Sequence, residues 1–96
     1  MPAYVIAMVE ILQPERYPEY KEIATRTVAA HGGRYIARGG RTEALEGEWQ
    51  PKRIVILEFE NMERARAWWA SEEYREGKAL RQAITKSTLL LVEGME

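Results

Sequence analysis

Residues Ala3 to Leu12 read AYVIAMVEIL, a nearly unbroken apolar and β-prone run closed by Gln13-Pro14. Its length and its bulky side chains predict a strand. Both alternating sets of positions are apolar, so the strand needs cover on two sides rather than one. The segment Ser87 to Gly94, STLLLVEG, has the same character at the other end of the chain. Any fold proposed for this sequence has to bury both faces of these two strands.

Working outward, Tyr17, Tyr20, Ile23, Ala24, Thr27, Val28 and His31 recur at spacings of three and four, which predicts a helix from Pro14 to His31. Pro14 suits its first turn, Glu15 and Glu19 complement the positive end, and Gly32 supplies a left-handed stop. GRYIARGG then predicts a second strand, with Tyr35, Ala37 and Gly39 on one face and Arg34, Ile36 and Arg38 on the other. Gly39-Gly40 is expected to bend or bulge it, with the strand resuming from Arg41 to Leu45. A third strand, RIVILEFE, runs from Arg53 to Glu60. Asn61 can cap a helix, MERARAWWAS, that buries Met62, Ala65 and either Trp69 or, with the face rotated, Trp68. Ser71 can cap a further helix with Tyr74, Leu80 and Ile84 inward. Gly77 weakens that helix by about 1 kcal/mol relative to alanine.

The order βαββαβ in 96 residues points to a single α+β domain over residues 1–96 with a four-stranded antiparallel sheet and its helices on one face, the ferredoxin-like plan. Helices on one face leave the other to water or to a partner. At roughly 1.5 to 3 kcal/mol per buried aliphatic side chain, leaving the second faces of the two apolar strands wet forfeits more than a small domain has to spare. The expectation is a homodimer with the two sheets packed face to face.

Composition narrows the functional classes. A net charge of -1 with acids and bases interspersed carries no electrostatic footprint for nucleic acid. Without cysteine and with one histidine, the chain has no thiolate or paired-histidine metal motif, so neither a metal nor a cofactor is expected. No run approaches the roughly 18 apolar residues of a membrane span, and the N-terminus has no signal-peptide pattern; the expected location is the cytoplasm.

Taken together, AYVIAMVEI, YPEY, AAHGGRYIARGG, LEGEW, PKRIVILEF, ARAWWASEEY and LLLVEG resemble the DUF1330 family, small proteins of unknown function in the dimeric α/β-barrel superfamily. The resemblance spans nearly the whole chain. It implies the ferredoxin-like fold and the back-to-back dimer. It implies no reaction, although superfamily relatives include cofactor-free monooxygenases, haem-binding enzymes and lactone isomerases.

Several residues stand out against their surroundings. His31 is a possible general base near neutral pH and equally a helix-terminal cap. Arg38 and Glu58 are charges within apolar strands, expected to pair with each other or to hold a ligand. Trp68 and Trp69 are about 100° apart on a helix, so only one can face the sheet. The run REGKALR reads as a solvated helix face, and Trp49 as cover for a pocket or a partner. These features suggest a pocket for a small carbonyl or carboxylate compound between helices and sheet. His31, Arg38 and Glu58 are its candidate catalytic residues; Trp69 and Tyr74 are its candidate ligand contacts. His31 or Glu58 would take a proton and Arg38 would stabilise the enolate. The alternative is a non-catalytic ligand-binding or structural dimer.

Overall fold

Alternate side chains of β1, Ala3–Ile11, separate onto two surfaces of different character. In the computed structural model, which describes residues 1–95, Ala3, Val5, Ala7 and Val9 are buried while Tyr4, Ile6 and Met8 are half-buried. The same division runs along β3, Ile54–Phe59: Val55, Leu57 and Phe59 are buried, and Ile54, Ile56 and Glu58 are not. With β2, Arg34–Arg38, and β4, Thr85–Glu93, these strands form a sheet in the order β2-β3-β1-β4. Every neighbouring pair is antiparallel. β1 is therefore an interior strand, pairing with β3 from Ala3 to Met8 and with β4 along its whole length.

Three helices cover one face of this sheet. Pro14 opens a short 3-10 turn that leads into α1, Tyr17–Ala30, whose buried stripe is Tyr17, Tyr20, Ala24, Thr27 and Val28. Gly32, at φ +74°, reverses the chain just beyond the helix, a conformation that glycine adopts without a Cβ clash. Asn61 caps α2, Met62–Trp69, by accepting a hydrogen bond from the Arg64 N–H at 2.9 Å. Ser71 does the same for α3, Glu72–Ile84, with the Tyr74 N–H at 3.2 Å. Gly77 costs helix propensity but lets α3 approach α1, since a Cβ there would lie 2.6 Å from Ile23 Cγ2. The interior is dominated by rings: Trp68 sits 4.2 Å from Tyr74 and 5.6 Å from Phe59, centroid to centroid.

The structure departs from the sequence expectation in the second strand. The extra residue falls between Tyr35 and Ala37, not at Gly39-Gly40: Tyr35 opposes Leu57, Ala37 opposes Ile56 and Arg38 opposes Val55. A bulge puts two residues opposite one and so reverses the in-out alternation beyond it. Arg38 thereby joins Tyr35 on the helix-covered face, while Ala37 moves to the other. The strand then stops. Gly39 is left-handed, at φ +70°, and any side chain there would collide with the Arg53 guanidinium. Arg41–Leu45 forms no strand; it belongs to an exposed loop that runs on to Arg53.

The opposite face has no helix over it. Tyr4, Ile6, Met8, Ile54 and Ile56 are half-buried there, and Ile36, Leu90 and Val92 are 47%, 54% and 46% exposed.

Candidate functional site

The helix-covered face does not close completely. A cavity of about 30 Å³ remains between the sheet and α1, with a floor of Val5, Ala7 and Val9 from β1 and Val55 and Leu57 from β3. Tyr17, Tyr20 and Lys21 line it from α1, Tyr35 and Arg38 from β2, Trp68 from α2, Arg81 from α3 and Leu89 from β4. Among the described residues no carboxylate and no imidazole contributes to this lining. The charge around the cavity is therefore positive, set among phenol rings and aliphatic side chains.

Arg81 is the least expected of these groups. It is only 5% exposed, and among the described residues no acid pairs with it. Its Nη1 donates to Ser87 Oγ at 2.7 Å and its Nε to the Tyr74 hydroxyl at 3.4 Å. The Tyr74 and Tyr20 hydroxyls lie 2.8 Å apart. Tyr74 is fully buried and stands behind the cavity lining. Arg81, Tyr74 and Tyr20 are thus joined in one hydrogen-bonded chain, and either phenol can donate in its last link. Burial, reinforced by Tyr74, pushes the Tyr20 phenol well above its ordinary pKa. Tyr20 is a donor at any physiological pH, never a phenolate base.

Arg38 reaches the cavity from the other side. Its guanidinium carbon lies 3.9 Å from the centre of the Tyr35 ring, and Nη2 donates to Thr25 Oγ1 at 2.7 Å. Burial raises the Tyr35 phenol and Arg38 opposes that rise; the net shift is upward, so Tyr35 also stays protonated. Trp68 completes the wall while its Nε1–H donates to Thr27 Oγ1 at 3.1 Å, which ties α2 to α1.

The residues singled out from the sequence do not converge on one place. Arg38 is on the cavity wall, and Tyr74 stands directly behind it through Tyr20. Glu58 is on the opposite face of the sheet, where Arg34 Nε donates to Glu58 Oε1 at 2.6 Å; the expected pairing of Glu58 with Arg38 is replaced by this one. His31 ends α1, with Nδ1–H donating to the Thr27 carbonyl at 3.0 Å and Nε2 3.8 Å from Glu73. It caps the helix and does not line the cavity. Trp69 is 46% exposed over a separate depression with Arg66 and Leu90, its ring 3.7 Å from Lys78 Nζ. Its neighbour Trp68 takes the inward position. REGKALR is not wholly a solvated face either, because Arg81 follows Tyr74 by seven residues and so lies on the same side of α3. That spacing was the available signal for Arg81; Tyr20 and Tyr35 read as ordinary core.

Among the described residues no group of three or more His, Cys, Asp or Glu side chains is placed to hold a metal, and no helix is long and apolar enough to cross a membrane.

Comparison with known proteins bears on the fold and the family. No curated protein matches the sequence. A protein of unknown function from Rhodopseudomonas palustris superposes with a TM-score of 0.79 at 19% identity, over 99% of this chain and 83% of that one. A dimeric ferredoxin-like protein of unknown function from Jannaschia sp. CCS1 gives 0.73 at 14% identity, over 98% of this chain and 100% of that one. SnoaB, a cofactor-independent oxygenase from Streptomyces nogalater, gives 0.58 at 12% identity, over 99% and 94%. These likenesses show the ferredoxin-like fold. The model of the DUF1330 family, a domain of unknown function, matches residues 2–95, and the chain belongs to that family.

Proposed function

We propose that the cavity binds a small carboxylic acid or an enolisable carbonyl compound, with Arg38 and Arg81 meeting its negative charge and Tyr20 and Tyr35 donating to its oxygens. The observation that carries this reading is Arg81, a guanidinium 5% exposed with no carboxylate paired to it among the described residues. Burying a charge without an opposite one is costly, and an anion in the cavity supplies the missing partner. A carboxylate suits the available space: a cavity of about 30 Å³ admits a head group while the rest of the molecule stays at the mouth.

Such walls stabilise negative charge that develops on a bound carbonyl, the electrostatic part of cofactor-free enolate chemistry. Neither His31 nor Glu58 is placed to take the proton, so the acceptor in any such reaction is a water or a group of the ligand itself. SnoaB is described as a cofactor-independent oxygenase, which is compatible with this chemistry on a similar fold. We further propose that the uncovered face packs against a second copy of the chain. A neighbour of similar fold is described as dimeric, and the apolar side chains of that face would otherwise stay wet.

Titration calorimetry with acetate, propionate and acetoacetate, each against its neutral amide, tests the binding proposal. The acids are expected to bind and the amides not, and Arg81→Met is expected to weaken binding by about tenfold or more, the usual worth of a hydrogen bond to a charged group. Equal, negligible heats for acids and amides would leave the non-catalytic structural dimer as the better reading.

A further inference from the structure

Among the described residues, one buried side-chain nitrogen or oxygen has no hydrogen-bond partner: Nε of Arg53. The rest of that side chain is unusual too. Its guanidinium carbon lies 5.3 Å from the centre of the Tyr17 ring, a ring that lines the cavity, and among the described residues no acid pairs with it. The backbone gives way to it, since the glycine at position 39 leaves room that any Cβ would take.

The strand register shows how Arg53 relates to the other two arginines. The Val9 N–H donates to the Arg53 carbonyl at 2.8 Å, and Val9 opposes Ser87 on the other side. Ser87, Val9 and Arg53 thus form one row across the sheet, and Ser87 is the residue that holds Arg81. Arg38 opposes Val55, two residues along β3 from Arg53 and hence on the same face, at the diagonal spacing of roughly 7 to 8 Å that long side chains bridge. Arg81, Arg53 and Arg38 therefore stand around the same end of the covered face, with Tyr17, Tyr20 and Tyr35 among them. Arg81 and Arg38 suffice for one carboxylate. A third guanidinium with an unused, desolvated donor calls for a second anionic group.

We infer that Arg53 is a second anion contact and that the ligand is a small dicarboxylic acid, one carboxylate reaching Arg38 and Arg81 and the other Arg53. This rests on the cavity's being an anion site as proposed above. Arg53 acts as the specificity residue that separates diacids from monoacids of the same length, because planar guanidinium–carboxylate pairing rewards the second carboxylate and has nothing to offer a methyl group.

The test is calorimetric titration of succinate and butyrate, which match in carbon count and differ by one carboxylate. The intact protein is expected to bind succinate at least about tenfold more tightly, in line with one additional charge-assisted pair. Arg53→Met should abolish that preference and leave butyrate affinity unchanged. If Arg53→Met does not fold, Arg53→Lys serves, and there the preference should fall by about threefold or more because the planar fork is gone. Equal affinities in the intact protein overturn the inference while leaving an acid-binding cavity in place. So does a variant that weakens both acids alike, which marks Arg53 as structural, or a Lys variant with its preference intact. Failure of both acids to bind removes the cavity reading and this inference with it.

Discussion

Arg34 and Arg38 lie on the same short strand, an even number of residues apart, yet they meet opposite fates. Arg34 is on the uncovered face and is neutralised by Glu58 at 2.6 Å. Arg38, beyond the bulge, is on the covered face with Arg53 and Arg81, where no carboxylate pairs with any of the three among the described residues. One face uses charge the way protein surfaces do, in pairs; the other keeps cations unpaired around a cavity. Burying cations without an opposite charge is costly, so the contrast marks the covered face, rather than the uncovered one, as the place where a ligand is proposed to bind.

The largest effect is expected from breaking the covered face. Trp68 is 1% exposed, stacks on Tyr74 and Phe59 and forms part of the cavity wall. Trp68→Ala should lower the unfolding free energy by about 3 to 5 kcal/mol in denaturant titrations, the usual loss for a large buried ring. A loss under about 1 kcal/mol, typical of exposed positions, would mean that the ring stack is not the centre of the core. Breaking the uncovered face should act on assembly. Ile6 lies between Ile56 and Leu90 in the strand register, and Ile6→Lys would place an unpaired charge in the middle of a face-to-face contact. If the parent chain dimerises as proposed, light scattering should then show the variant as a monomer, with the acid-binding heats unchanged. A variant that dimerises as well as the parent would move the contact elsewhere. The smallest effect belongs to the surface pair. In the Ile6→Lys background, where the face stays wet, Glu58→Gln should change stability by only about 0 to 1 kcal/mol, because the Arg34 side chain is 72% exposed. A loss several times larger would show that this face is less open to water than the geometry indicates.

Much of the fold could be read from local pattern. The two-faced apolar run of β1 called for cover on both sides, the stripe from Tyr17 to Val28 marked α1, and Asn61 and Ser71 cap the helices they precede. The site was harder to read. Arg38 stood out because a charge interrupts an apolar strand, but a period-two reading assigned it to the wrong face, since nothing in RYIAR announces an extra residue at Ile36. Choosing between Trp68 and Trp69 needed the rotation of α2 about its axis, which its packing against Phe59 and Tyr74 settles. His31 and Glu58 attracted attention as titratable groups, and local partners, the α1 carbonyl and Arg34, account for both.

By itself the sequence determined element types, their order and their caps, because these follow from interactions between residues a few positions apart: side-chain periodicity, propensity and the unsatisfied groups at helix ends. Only the tertiary structure decided the site. The bulge that turns Arg38 inward depends on registry with β3, and the placing of Arg53 on one row with Ser87, the residue that holds Arg81, depends on β1 pairing with both of its neighbours. Those strand pairings join residues 17 or more positions apart, and electrostatics in a buried cavity is governed by such distances in space rather than by spacing along the chain.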